Sequence, residues 1–123
     1  MEEIVMSLNV KSVTIGLPVS NLEEAASWYE KLLMSDEKIT PVEGIIEYQI
    51  GSVWLQLYEE KTTVSENGLR LEVDDLDTEF ERLKTLGVIA DEAIEDVPGV
   101  LRYVDFSDPD GNKLSFLWLY PQE

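Results

Sequence analysis

Neither cysteine nor histidine occurs among the 123 residues. Without cysteine, disulfides and thiol chemistry are excluded, and no redox compartment can be read from the chain. Without histidine, the commonest metal ligand and the usual neutral-pH acid–base group are missing. Basic residues are scarce as well, nine against 26 acidic ones, for a net charge of −17. A field of that sign repels nucleic acid and anionic membranes, favours solubility, and attracts cationic ligands or basic protein patches. No run approaches the ~20 apolar residues that span a bilayer. Met1-Glu2-Glu3-Ile4-Val5-Met6 has neither the basic start nor the long apolar run of a secretion signal. A cytoplasmic protein with no nucleic-acid or membrane partner is expected.

What is present is a folded-domain composition, 44% hydrophobic, with no low-complexity stretch or linker. One domain over residues 1–123 is expected, large enough for a real core. Within it the chain repeats itself. Leu17-Pro18-Val19-Ser20-Asn21-Leu22-Glu23 returns as Leu71-Glu72-Val73-Asp74-Asp75-Leu76-Asp77, an offset of 54 (71 − 17). Gly44-Ile45-Ile46-Glu47-Tyr48 aligns with Gly99-Val100-Leu101-Arg102-Tyr103 at 55 (99 − 44), and Leu55-Gln56-Leu57 with Leu114-Ser115-Phe116 at 59 (114 − 55). This alignment puts the growth of four residues in the turn Ser107–Asn112, since loops tolerate insertion.

Each repeat predicts the same elements. Val13, Ile15 and Leu17 alternate with Ser12, Thr14 and Gly16, the period of a half-buried strand. Ser20 and Glu23 make a capping-box pattern before a helix to about residue 34, with Leu22, Ala25, Ala26, Tyr29, Leu32 and Leu33 on one face. Strands are expected at 38–42, 45–50 and 53–58. The second repeat predicts a strand at 68–74 and a helix capped by Asp75 and ended by Gly87. Strands near 89–95, 100–106 and 113–120 complete it, the last two joined by the turn Asp108-Pro109-Asp110-Gly111. The fold class is therefore α+β: two tandem βαβββ modules, residues 10–60 and 66–120, forming a cup-shaped mixed β-sheet with helices outside.

Leu17-Pro18-Val19-Ser20-Asn21-Leu22 before a helix containing Trp28-Tyr29, then Val73-Asp74-Asp75-Leu76, and above all Phe106-Ser107-Asp108-Pro109-Asp110-Gly111-Asn112-Lys113-Leu114 carry a family resemblance. The chain resembles the vicinal-oxygen-chelate superfamily of glyoxalases, bleomycin-resistance proteins and extradiol dioxygenases over about residues 10–120. In metal-dependent members of that family, one side chain from each of four strands binds a divalent ion. Matched by motif, those positions are Thr14, Gln56, Gly68 and Ser115. Only Gln56 resembles a family ligand, and one neutral amide cannot hold an ion against water. The resemblance thus implies no metal and no other cofactor.

What remains is the cup. If Gln56 faces it, so do Trp54 and Tyr58, while Val53, Leu55 and Leu57 face the helix. Arg70 and Glu72 share the Gly68 face, and Lys113, Leu117 and Leu119 the Ser115 face. The expected ligand site is Thr14, Trp54, Gln56, Tyr58, Arg70, Glu72 and Ser115, aromatic walls with a few polar groups. No catalytic residue is assigned. Trp54 and Tyr58 equally fit packing against the other module or a dimer partner, and Arg70 fits an ion pair with Glu72 or another acid. The function expected is metal-independent binding or sequestration of a small molecule, a cationic one being compatible with the charge, by a homodimer. The alternatives are a metal-independent lyase- or isomerase-like enzyme with Glu72 as candidate base, and an acidic module that docks a basic protein.

Overall fold

Strand β1 (Val13–Val19) sinks progressively, from an exposed Val13 to a buried Leu17 and Val19. It leads into helix α1 (Leu22–Leu33), which turns Ala25, Ala26, Tyr29 and Leu32 inward at helical spacing. Hairpin β2 (Ile45–Ile50) and β3 (Val53–Glu59) follows. The second module repeats the order with β4 (Leu69–Glu72), α2 (Leu76–Thr85), β5 (Glu95–Val97), β6 (Leu101–Ser107) and β7 (Lys113–Leu119). This computed structural model describes residues 9–61 and 68–122. The N-terminal hexapeptide read above for a secretion signal, and residues 66–67 at the expected start of the second module, lie outside them.

The strands form two mixed sheets in the orders β1-β3-β2 and β4-β7-β6-β5. In each, the first strand of the module runs parallel to the last, and the remaining pairs are antiparallel. The helices cover one face of each sheet, and Leu17, Leu55, Leu57, Leu83, Val104 and Phe116 from both modules belong to one buried cluster. Truncating any of these leucines to alanine would cost about 2–5 kcal/mol. The α+β class and the two-module layout are as the sequence implies.

Three local expectations are corrected. The N-cap of α1 is Asn21, whose side chain accepts from the Glu24 amide at 3.0 Å. Ser20 stands outside the helix, and its amide donates to Asp110 of the other module. Residues 38–42 form no strand but a single bridge, Ile39 to Glu47, because Pro41 has no amide to donate and disfavours continued pairing. Most of 89–95 is likewise irregular, the strand being confined to Glu95–Val97 before Pro98. Asp75 caps α2 as expected, accepting from the Thr78 amide, and Gly87 takes the positive φ that stops the helix.

Candidate functional site

Alternation along the strands decides which side chains the helices leave uncovered. On β3, Leu55 and Leu57 are fully buried whereas Trp54, Gln56 and Tyr58 are half-buried on the open face. Thr14 and Gly16 stand beside Trp54 and Gln56 in the parallel β1–β3 ladder. Gly16 is needed there for space: a Cβ on it would lie 3.2 Å from the Tyr58 ring. Tyr58 therefore lies over bare backbone.

The ladders reveal a correspondence that the sequence alignment missed. In the first module Gly16, Gln56 and Glu47 stand side by side on β1, β3 and β2. In the second, Arg70, Ser115 and Asp105 stand side by side on β4, β7 and β6. The offsets are 54 (70 − 16), 59 (115 − 56) and 58 (105 − 47). The offset thus grows by four residues before β6 (58 − 54), and by only one more (59 − 58) in the Ser107–Asn112 turn. Tyr48 consequently corresponds to Phe106, both buried, and not to Tyr103. The hydrogen bonds repeat with the residues: Gln56 Nε2 donates to Glu47 at 2.8 Å, and the Ser115 hydroxyl donates to Asp105.

Two concavities bear on function. A cleft of about 270 Å³ is lined by Gly68, Arg70, Glu92, Asp105, Ser107, Lys113 and Ser115 among others. An apolar crevice of about 100 Å³ lies where β4 meets the first sheet and includes Ile15, Ile50, Val53, Trp54, Leu69 and Arg70. Of the seven residues expected to bind a ligand, the cleft gathers Arg70 and Ser115, and the crevice brings Trp54 up to Arg70. Thr14, Gln56, Tyr58 and Glu72 lie outside both linings. Within one chain, the expected lining is thus divided between the modules and not collected in one bowl. Arg70 forms no ion pair among the described residues, with Glu72 or any other acid. The two occupy separate rows, Arg70 beside Ser115 and Glu72 beside Leu117, and residues two apart on a strand are separated by about 6.6 Å.

Sequence reasoning passed over Asp105, Ser107 and Glu92. The first two were accessible in principle, since they alternate with Val104 and Phe106 on β6. Glu92 was not: it reaches the cleft from an irregular loop that its own carboxylate fastens, accepting from the Ala90 amide at 2.7 Å. That bond holds its pKa below the usual carboxylate value.

Behind the sheets, a buried polar knot fixes the modules to each other. Asp108 and Asn112 are buried, and Asp108 accepts from the Tyr29 hydroxyl at 2.7 Å and from the Asn112 amide and side chain. Asn112 also donates to the Pro18 carbonyl at 2.7 Å. Burial and the Asp108 carboxylate push the Tyr29 hydroxyl far above its ordinary pKa. The Arg82 guanidinium adds a second tie, donating to the Lys31 and Leu32 carbonyls at the end of α1. These residues tie the two modules together.

The donor set does not suit a metal ion. Gln56 directs its amide nitrogen at Glu47, Ser115 gives its proton to Asp105, Thr14 is exposed, and Gly68 has no side chain. Among the described residues, no three carboxylates come together in a metal-holding arrangement.

A family model described as the Glyoxalase/Bleomycin resistance protein/Dioxygenase superfamily matches residues 11–116. No curated protein is significantly similar in sequence. Among solved structures, a glyoxalase/bleomycin resistance protein from Catenulispora acidiphila is 25% identical, with 90% of this chain and 100% of that one covered and a TM-score of 0.76. A bleomycin resistance determinant encoded on the transposon Tn5 is 20% identical, with 91% and 100% covered and a TM-score of 0.74. A lactoylglutathione lyase from Agrobacterium tumefaciens is 17% identical, with 86% and 91% covered and a TM-score of 0.72. The last two show the fold alone.

Proposed function

The chain belongs to the glyoxalase/bleomycin resistance protein/dioxygenase superfamily, and from that premise we propose that it is a small-molecule binding or sequestration protein that works without a metal. The observation that carries this reading is the open face of the two sheets, where Trp54, Gln56 and Tyr58 of the first are half-buried, Trp54 shares a crevice with Arg70, and Arg70, Lys113, Ser115 and Asp105 of the second line a charged cleft. Aromatic surface next to a few polar groups is the usual composition of a small-molecule site. The poor fit of Thr14, Gln56, Gly68 and Ser115 to a metal favours binding over metal-assisted catalysis. The ligand site proposed comprises Thr14, Trp54, Gln56, Tyr58, Arg70, Glu72 and Ser115. The fold shared with a bleomycin resistance determinant supports sequestration as the mode of action, and the −17 charge favours ligands that carry a cationic group.

The chain acts, in this proposal, as one cytoplasmic domain paired with a second copy. Val97, Leu101 and Leu119 form an apolar row across β5, β6 and β7, beside an exposed Val100. The outer strands β1, β2, β4 and β5 also leave edges that a partner copy would cover.

The test is titration of the three tryptophans with a panel of uncharged and cationic aromatic compounds. Trp54→Ala should weaken the binding of any hit by roughly 2 kcal/mol while leaving the fold intact, as expected of a central anchor. If the variant unfolds while the affinity of the remaining folded protein is unchanged, Trp54 is packing and the site lies elsewhere.

A further inference from the structure

Four of the nine basic residues are held in ion pairs, Lys38 with Glu30, Arg82 with Glu79, Lys84 with Glu81 and Arg102 with Asp77. That leaves five (9 − 4), Lys11, Lys31, Lys61, Arg70 and Lys113, with no ion pair among the described residues. In a chain with 26 acids, an unpaired cation has no shortage of possible partners. Two of the five nevertheless converge on one cleft, and the acids Asp105 and Glu92 line the same cleft without pairing to either.

The arrangement is fixed by the sheet. Arg70, Ser115 and Asp105 sit opposite one another on β4, β7 and β6, so the cation and the acid are two ladders apart, about 10 Å between Cα atoms. Ser115, only 6% exposed, forms the floor between them and gives its proton to Asp105. Lys113 and Ser107 form the next row on the same face. Gly68, also in the lining, adopts φ +79° and contributes no side chain. On β4 and β7 the cleft therefore offers a guanidinium and an ammonium, which only donate. Asp105 on β6 and Glu92 from the loop before β5 add two carboxylates, which only accept.

We propose that this cleft binds a small zwitterion, with an oxyanion head on Arg70 and Lys113 and an ammonium group on Asp105 and Glu92. The inference rests on the small-molecule reading above and narrows its ligand class. The Arg70 fork suits a planar carboxylate or a phosphate, both of which accept two parallel N–H bonds. A purely anionic ligand would satisfy the cations but meet two carboxylates and the repulsion of the whole chain. A purely cationic ligand would leave Arg70 and Lys113 unmatched. An amino acid with an uncharged side chain has no net charge for the long-range field to repel, and O-phosphoethanolamine carries only about one net negative charge at neutral pH. The two ends of either are felt locally, within the ~8 Å over which salt does not screen them. The volume of about 270 Å³ is below that of drug-sized pockets and suits a molecule the size of an amino acid.

The test is calorimetric titration of the full chain with glycine, the other common L-amino acids and O-phosphoethanolamine. Each is set against the analogue lacking the ammonium and the analogue lacking the oxyanion. At least one zwitterion should bind ten-fold or more tightly than either singly charged analogue. Amino acids will lead where carboxylate is the head recognised, and O-phosphoethanolamine where it is phosphate. Arg70→Gln and Lys113→Gln should each weaken the zwitterion ten-fold or more and leave its amine analogue unchanged, whereas Asp105→Asn should leave the oxyanion analogue unweakened. These side chains are exposed, and thermal melts matching the parent would show that the losses are not unfolding. A singly charged analogue that binds as tightly as its zwitterion overturns the proposal, as does a panel in which no zwitterion saturates below about 10 mM. Should an aromatic compound bind through Trp54 while every zwitterion fails, the binding function stands and this inference falls.

Discussion

The Tyr29 hydroxyl donates to the Asp108 carboxylate at 2.7 Å, joining α1 of the first module to the β6–β7 turn of the second across 79 residues of chain. The contact is buried and charge-assisted, and it lies behind the sheets, away from the open face. Two modules that share few strand-to-strand contacts are held at a fixed angle through it.

Tyr29→Phe should therefore cost about 1.5–3 kcal/mol, the range for a hydrogen bond to a charged group, read as a lower urea midpoint with an unchanged slope. A midpoint within error of the parent would show that the knot contributes nothing net.

The same residue predicts alkaline sensitivity. Burial, followed by the Asp108 charge and hydrogen bond, raises the folded-state pKa of Tyr29 above its ordinary value of 10.0. Burial and Glu30 raise that of Tyr48 in the same direction. Above pH 10 the unfolded chain releases these protons while the folded chain keeps them. Stability from this source is complete below pH 10 and falls as pH rises beyond it, by about 1.4 kcal/mol per pH unit for Tyr29 alone. Urea midpoints between pH 9 and 11.5 (roughly the span needed) should fall steeply in the parent and less steeply in Tyr29→Phe. Parallel curves would contradict the assignment.

Arg82 supplies the other tie, at 3.0 Å to the Lys31 carbonyl and 2.8 Å to that of Leu32. Because these are end-of-helix carbonyls with no intrahelical partner, Arg82→Ala should cost about 2 kcal/mol. Arg82→Lys should recover only part of it, lacking the fork that reaches both oxygens. Full recovery by lysine in urea titrations would mean that charge, and not geometry, is what α1 requires.

A homodimer should be seen by sedimentation at tens of micromolar, and moderate salt should strengthen it by screening the mutual repulsion of two chains of charge −17. Leu119→Glu, placed in the apolar row with Val97 and Leu101, should shift it to monomer. A parent that sediments as a monomer at this concentration sinks the idea.

Protein prepared without chelator should carry far less than one transition metal per chain, and added Zn²⁺, Ni²⁺ or Mn²⁺ should leave its melting temperature unmoved, since a bound ion would stabilise the fold. About one metal per chain by elemental analysis would refute the metal-free reading.

The sequence alone determined what depends on local periodicity and local bonding. Alternation along β3 placed Leu55 and Leu57 under α1 and left Trp54, Gln56 and Tyr58 on the other face, because side-chain direction in a strand has a period of two. Asp75 and Gly87 bounded α2 because a carboxylate cap and a positive-φ glycine act within one turn. The repeat at offset 54 gave the two-module α+β layout. The alignment of β2 with β6 was not legible: similar apolar tripeptides matched Tyr48 to Tyr103, whereas the ladders match it to Phe106. Which residues stand opposite one another depends on loop length and turn geometry between strands, and a slip of three exchanges the two faces. Tertiary structure therefore decided that Asp105 stands beside Ser115, and that the loop before β5 brings Glu92 to the same cleft. It also left Arg70 without the ion pair that its own strand suggested, since partners on neighbouring strands stand closer than residues two apart on one strand.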